Sequence, residues 1–130
     1  NVANLLLARG TERAREFVVE VGMDRVVGSR VLNCVAAHHG TVPFECVEAE
    51  VVANADCYRF MHPRGVLHYL GTLAMRGLSF DEVLTGAEAK LEEKRGLLSI
   101  EYCKRELLPF YDMYRRMFDV ARLRGASRRA

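Results

Sequence analysis

Apolar residues recur at three- and four-residue steps through most of the chain, while the strict alternation of a half-buried strand is almost nowhere found. The opening segment "NVANLLLARG" predicts a helix stopped by Gly10, and Thr11 is placed to cap a second segment, "ERAREFVVEVG", ending at Gly22. Asp24 is placed to cap "RVVGSRVLNCVAAHH", whose stripe runs Val27, Val31, Cys34, Val35 and His38 before Gly40, Thr41 and Pro43 break it. From about Phe44 to Met61 the stripe is Val47, Val51, Asn54 and Tyr58, with Val52, Ala55 and Arg59 beside it. Glu and Ala at helical steps favour a helix there despite the valines. His62, Pro63 and Gly65 mark a turn, and "VLHYLGTLAMRG" predicts a short helix ended by Gly77. Ser79 with Glu82 makes a capping-box pattern before "VLTGAEAKLEEKRG". Ser99 opens a long last helix to about Arg124. Pro109 should kink it, because proline removes a backbone donor and crowds the preceding turn. The expected class is all-α, a single-domain helical bundle over residues 1–130, without repeat or linker.

Composition narrows this picture. At 130 residues, half of them apolar, the chain is long enough for one core that buries about two-thirds of its unfolded surface. A net charge of +2 is too near balance to point to nucleic acid as a partner. The basic tail "RLRGASRR" reads as a solvated end. Cys34, Cys46, Cys57 and Cys103 lie in apolar stretches without a C-x-x-C pair, which predicts reduced thiols in a cytoplasmic protein. No apolar run is long enough to cross a bilayer and no signal-peptide pattern opens the chain, so no membrane partner is expected. The first residue is Asn1 rather than methionine, which suggests a remainder of a longer chain.

All four histidines, His38, His39, His62 and His68, share one window with Asp56. Imidazole and carboxylate together suit a divalent ion such as Mn, Fe, Mg or Zn, which supplies Lewis acidity and an ionised water near neutral pH. Asp56 stands among apolar neighbours, where a carboxylate is costly unless cations or donors satisfy it. Arg59 one turn on, an arginine from another helix, or a metal shared with the histidines would each do so. A structural zinc site from Cys34, His38, Cys46 and Cys57 is disfavoured by the absence of short paired spacings. Arg59, His62 and Arg64 could meet a phosphate, for which a planar guanidinium is suited; a solvated helix end is the competing reading. Lys90, Lys94 and Arg95 alternate with Glu88, Glu92 and Glu93 and read as surface pairing. No Gly-rich phosphate loop or G-x-S-x-G elbow occurs.

The stretch "AAHHGTVPFECVEAEVVANADCYRF" resembles the second half of the HD superfamily of metal-dependent phosphohydrolases. The matching elements are His38-His39-Gly40, Glu48 in the following helix, and Ala55-Asp56, and the likeness spans roughly Val26 to Gly65. The resemblance implies an HD-domain-like fold and a divalent metal held by Asp56 with His38, the better-aligned histidine, or His39 as alternative or second ligand. It further implies hydrolysis of a phosphate ester or nucleotide, with Arg59 and Arg64 on the substrate phosphate, and allows a homo-oligomer. The family's His-Asp doublet and an earlier histidine lie upstream of the His-His helix. This sequence has no His-Asp doublet and no histidine before His38. The expectation is that residues before Asn1 supply them. The alternative is a non-catalytic all-α binding or oligomerisation module that has lost the metal site.

Overall fold

The computed structural model describes the backbone of residues 2–127 and the side chains of residues 8–122. The described residues form six helices and no strand: α1 (Val2–Glu20), α2 (Arg25–Ala37), α3 (Val47–Met61), α4 (Pro63–Met75), α5 (Phe80–Leu97) and α6 (Glu101–Ser127). None of these is long and apolar enough to cross a membrane. Beyond Arg122 the side chains of the basic tail lie outside the described residues.

Several boundaries fall where the capping residues place them. Gly22, at φ 61°, ends α1 with paired bonds from Gly22 N–H to the Val19 carbonyl and from Met23 N–H to the Val18 carbonyl. Asp24 caps α2 by accepting from the Val26 and Val27 N–H groups. Ser79 and Glu82 exchange the reciprocal bonds of a capping box at the start of α5. Gly40 closes the turn after α2 at φ 73°.

Three expectations need correction. Gly10 does not stop a helix, and Thr11 is no cap, because α1 runs through both. A glycine inside a helix costs about 1 kcal/mol relative to alanine, too little to break a long segment. Pro63 begins α4 rather than lying in a turn, since at the first helical position its missing N–H is no loss. Gly65 is then inside α4, where a Cβ would come within 2.4 Å of the Arg59 carbonyl oxygen. Finally, α3 starts at Val47, and its valine stripe faces water: Val47, Val51 and Val52 are exposed, whereas Ala49, Ala53, Asn54, Cys57 and Met61 are buried. The last helix continues unbroken through Pro109.

By their packing the residues divide into two compact units, Asn1–Ala55 and Asp56–Ala130, with the boundary inside α3. In the first unit α1 packs on α2 at Gly28, where an added Cβ would lie 2.7 Å from Val18 Cγ1. In the second, Cys57 and Met61 from α3, Val66 from α4, Leu84, Ala87 and Leu91 from α5, and Leu107, Tyr114 and Phe118 from α6 form one apolar core.

Candidate functional site

In the first unit, buried Asn33 organises the loop that leaves α2. Its Nδ2 donates to the Pro43 carbonyl at 3.1 Å, and its Oδ1 accepts from Glu45 N–H at 2.9 Å. Two bonds from one amide fix the far end of the His38-His39-Gly40 turn to the helix that precedes it. His38 is held in turn by a 2.7 Å bond between Nδ1 and the Val35 carbonyl. A carbonyl oxygen only accepts, so Nδ1 carries the proton and the ring lone pair lies on Nε2 in the neutral form. The His39 ring lies 4.0 Å from that of His38, centre to centre.

Asp56, in the second unit, is the more informative residue. Its side chain is 14% exposed, and its Oδ2 accepts from Lys94 Nζ at 2.8 Å, while Oδ1 accepts from Arg59 at 3.3 Å. Lys94 is fully buried. A buried ammonium is costly unless paired, so Asp56 and Lys94 require one another, and Glu93 adds a second carboxylate at 3.3 Å from the same nitrogen. Burial pushes the Glu93 carboxyl up, but the Lys90 hydrogen bond and the charges of Lys90 and Lys94 bring it below its ordinary value. The Phe60 ring collects the same cations, with Lys90 and Lys94 Nζ at 5.3 and 5.5 Å from its centre and the Arg59 guanidinium at 5.3 Å.

The reading of Lys94 as a surface residue is thus corrected: of the charges expected on that helix face, it is the one in the core. Its position carried a signal, since Leu84, Ala87, Leu91, Lys94 and Leu98 follow one another at three- and four-residue steps along a single buried stripe. Asn33, the other residue overlooked, gave no comparable signal. Its role depends on a loop whose path periodicity does not specify.

Arg59 and Arg64 border a cavity of about 480 Å³ together with Tyr58, His62 and His68. His62 precedes the first turn of α4 and sits edge-on to Phe110 at 5.6 Å. The one acid on this cavity, Glu106, accepts a hydrogen bond from the Tyr58 hydroxyl. A larger hollow, about 600 Å³, opens beside Val18, Met23 and Leu32 in the first unit and contains none of the sequence-predicted site residues.

As donors, His38, His39 and Asp56 suit a divalent ion. A ligating histidine commonly bonds its other ring nitrogen to a carbonyl, as His38 does to Val35, and a ligating carboxylate is commonly held by a further hydrogen bond, as Lys94 holds Asp56. In number they fall short of a complete set, and among the described residues no three of His, Cys, Asp and Glu gather closely enough to hold an ion. Comparison with protein-family models, with curated proteins and with solved structures finds no match.

Proposed function

We propose that the chain is part of an HD-type metal-dependent phosphohydrolase acting on a phosphate ester or nucleotide. The observation that carries this reading is Asp56: the carboxylate of the Ala55-Asp56 pair, downstream of His38-His39-Gly40, is fixed in one orientation by Lys94 rather than turned to solvent. In this proposal His38 or His39 and Asp56 would contribute ligands to a divalent ion, with the remaining ligands coming from a histidine and a His-Asp doublet that this sequence does not contain. Such an ion supplies Lewis acidity and an ionised water when bound. Arg59 and Arg64, on the rim of the 480 Å³ cavity, would receive the substrate's phosphate. The test is divalent-ion-dependent release of phosphate from p-nitrophenyl phosphate and from nucleoside monophosphates by the protein expressed from its complete coding sequence. Asp56→Asn should lower the rate by at least about a hundredfold if the carboxylate is a ligand. Equal rates in parent and variant would remove Asp56 from the reaction.

A second reading is favoured by the same contact. A buried Lys94 needs a counter-charge whether or not a metal is near, and Asp56 provides one at 2.8 Å. On that reading the chain is a non-catalytic helical module for binding or oligomerisation, and Asp56→Asn acts on stability alone.

A further inference from the structure

The four cysteines fall into two neighbouring pairs whose surroundings differ. In the second unit Cys57 is fully buried, donates to the Lys94 carbonyl at 3.4 Å, and has its thiol pushed up to about 11 by burial, with Cys103 near it. Cys57 is shielded, whereas Cys103 is half-buried. In the first unit Cys34 and Cys46 are both half-buried. Cys46 stands immediately before α3, its carbonyl accepting from Ala49 and Glu50 N–H groups at 3.2 and 3.5 Å. Its sulfur lies 3.9 Å from the Arg30 carbonyl and 3.7 Å from Asn33 Oδ1. In α2 the Arg30 carbonyl is the one that the Cys34 N–H meets one turn on, so the Cys46 sulfur rests over the turn that carries Cys34. The approach is enforced, because the Asn33 bonds to Pro43 and Glu45 hold the strand of loop that delivers Cys46.

We propose that Cys34 and Cys46 are a dithiol oxidised by hydrogen peroxide, a modification site whose product is a disulfide joining α2 to the start of α3. In the first step the Cys46 sulfur attacks a peroxide oxygen; the O–O bond breaks, the departing hydroxide takes the thiol proton, and Cys46 becomes a sulfenic acid with release of one water. In the second step the Cys34 sulfur attacks that sulfur; the S–S bond forms, the S–O bond breaks, and the leaving hydroxide departs as water with the Cys34 proton. Two electrons pass from the two thiols to one peroxide. Burial and the neighbouring Cys46 thiol hold Cys34 above the usual thiol range, which lowers its thiolate fraction and so slows its own attack on peroxide. The bridge spans the turn bearing His38 and His39, so its oxidation state sets how freely that turn moves. This inference stands independently of the hydrolase reading.

The test treats the full protein with a slight molar excess of hydrogen peroxide at neutral pH, alkylates the remaining thiols after unfolding, and maps disulfides by peptide mass spectrometry. The expected result is a Cys34–Cys46 linked peptide and loss of that pair from the four free thiols, reversed by dithiothreitol. Cys34→Ser should leave a dimedone-trappable sulfenic acid on Cys46, and Cys46→Ser should leave no disulfide, with helix content by circular dichroism unchanged in both. Retention of all four thiols, a Cys57–Cys103 link formed first, or linkage between molecules would overturn the proposal.

Discussion

Removing the charge of Lys94 without its volume, by Lys94→Met, isolates the pair on which the second unit turns. The methionine keeps an apolar stem beside Phe60 but leaves Asp56 and Glu93 without their ammonium. Breaking a buried pair costs about 3–5 kcal/mol when the survivor is sealed from water. Here the survivors differ. After Lys94→Met they are carboxylates with side chains 14% and 36% exposed, which water reaches, so the cost falls to about 2 kcal/mol. After Asp56→Asn the survivor is a fully buried ammonium with Glu93 at 3.3 Å, and the cost rises to about 3–4 kcal/mol. The double variant removes both charges and should be less destabilised than the sum of the singles by about 2 kcal/mol. Arg59→Ala, at a side chain 74% exposed, should cost less than about 1 kcal/mol and less still in high salt. Urea unfolding followed by far-ultraviolet circular dichroism measures the parent and the four variants. Additivity of the singles within about 0.5 kcal/mol would refute the coupling, and with it the argument that Asp56 and Lys94 require one another.

Other outcomes follow from the same packing. Gly65→Ala, whose Cβ would meet the Arg59 backbone carbonyl at 2.4 Å, should lose about 2 kcal/mol or more in urea midpoint analysis, whereas Gly28→Ala, opposed by the rotatable Val18 side chain, should lose about 1 kcal/mol. Asn33→Ala leaves the Pro43 carbonyl and Glu45 N–H without their partner and should cost about 2 kcal/mol, with faster amide exchange in residues 40–46 as the local readout. Cys57 should resist a thiol reagent in the folded protein at pH 8; its thiol is raised from 9.0 to about 11, so its contribution to stability is complete below pH 9.0 and is lost as pH rises through about 11. Towards acid, Glu88 is held below its ordinary 4.5 chiefly by the Arg122 hydrogen bond, and Glu93 is brought below it against its burial by Lys90 and Lys94. Their contribution is complete above about pH 4.5 and fades as pH falls through the folded values, so the urea midpoint should drop there. Glu88→Gln should flatten that drop.

Sequence patterns located most of the helices because caps are local chemistry. Asp24, Gly22, Ser79 with Glu82, and Gly40 each act on backbone groups within a few residues, and the structure places each as a boundary. Burial is not local: it depends on neighbours distant in the chain. In α3 the periodicity draws one stripe through Val47, Val51, Asn54 and Tyr58, yet of these only Asn54 is buried, and Ala49, Ala53 and Cys57 are inside. Small side chains permit close approach, a need set by neighbouring elements rather than by the segment itself. The anomaly at Asp56 was legible as a carboxylate in need of a partner. Its partner was not, because Lys94 lies far along the chain in a run of charges that resembles a solvated face. The two arginines assigned to phosphate do share a cavity, although nothing in their spacing specified its wall of Tyr58, His62 and His68.

Metal content of the protein expressed from its complete coding sequence and purified without chelator, measured by inductively coupled plasma mass spectrometry, tests the central proposal most directly. The hydrolase reading predicts a stoichiometric divalent ion in the parent and in Arg59→Ala, and its loss in Asp56→Asn and in a His38→Ala, His39→Ala double variant. A parent free of metal that cannot be reconstituted with Mn, Fe, Mg or Zn, while Asp56→Asn still destabilises the fold, would contradict it and leave Asp56 as the counter-charge of Lys94.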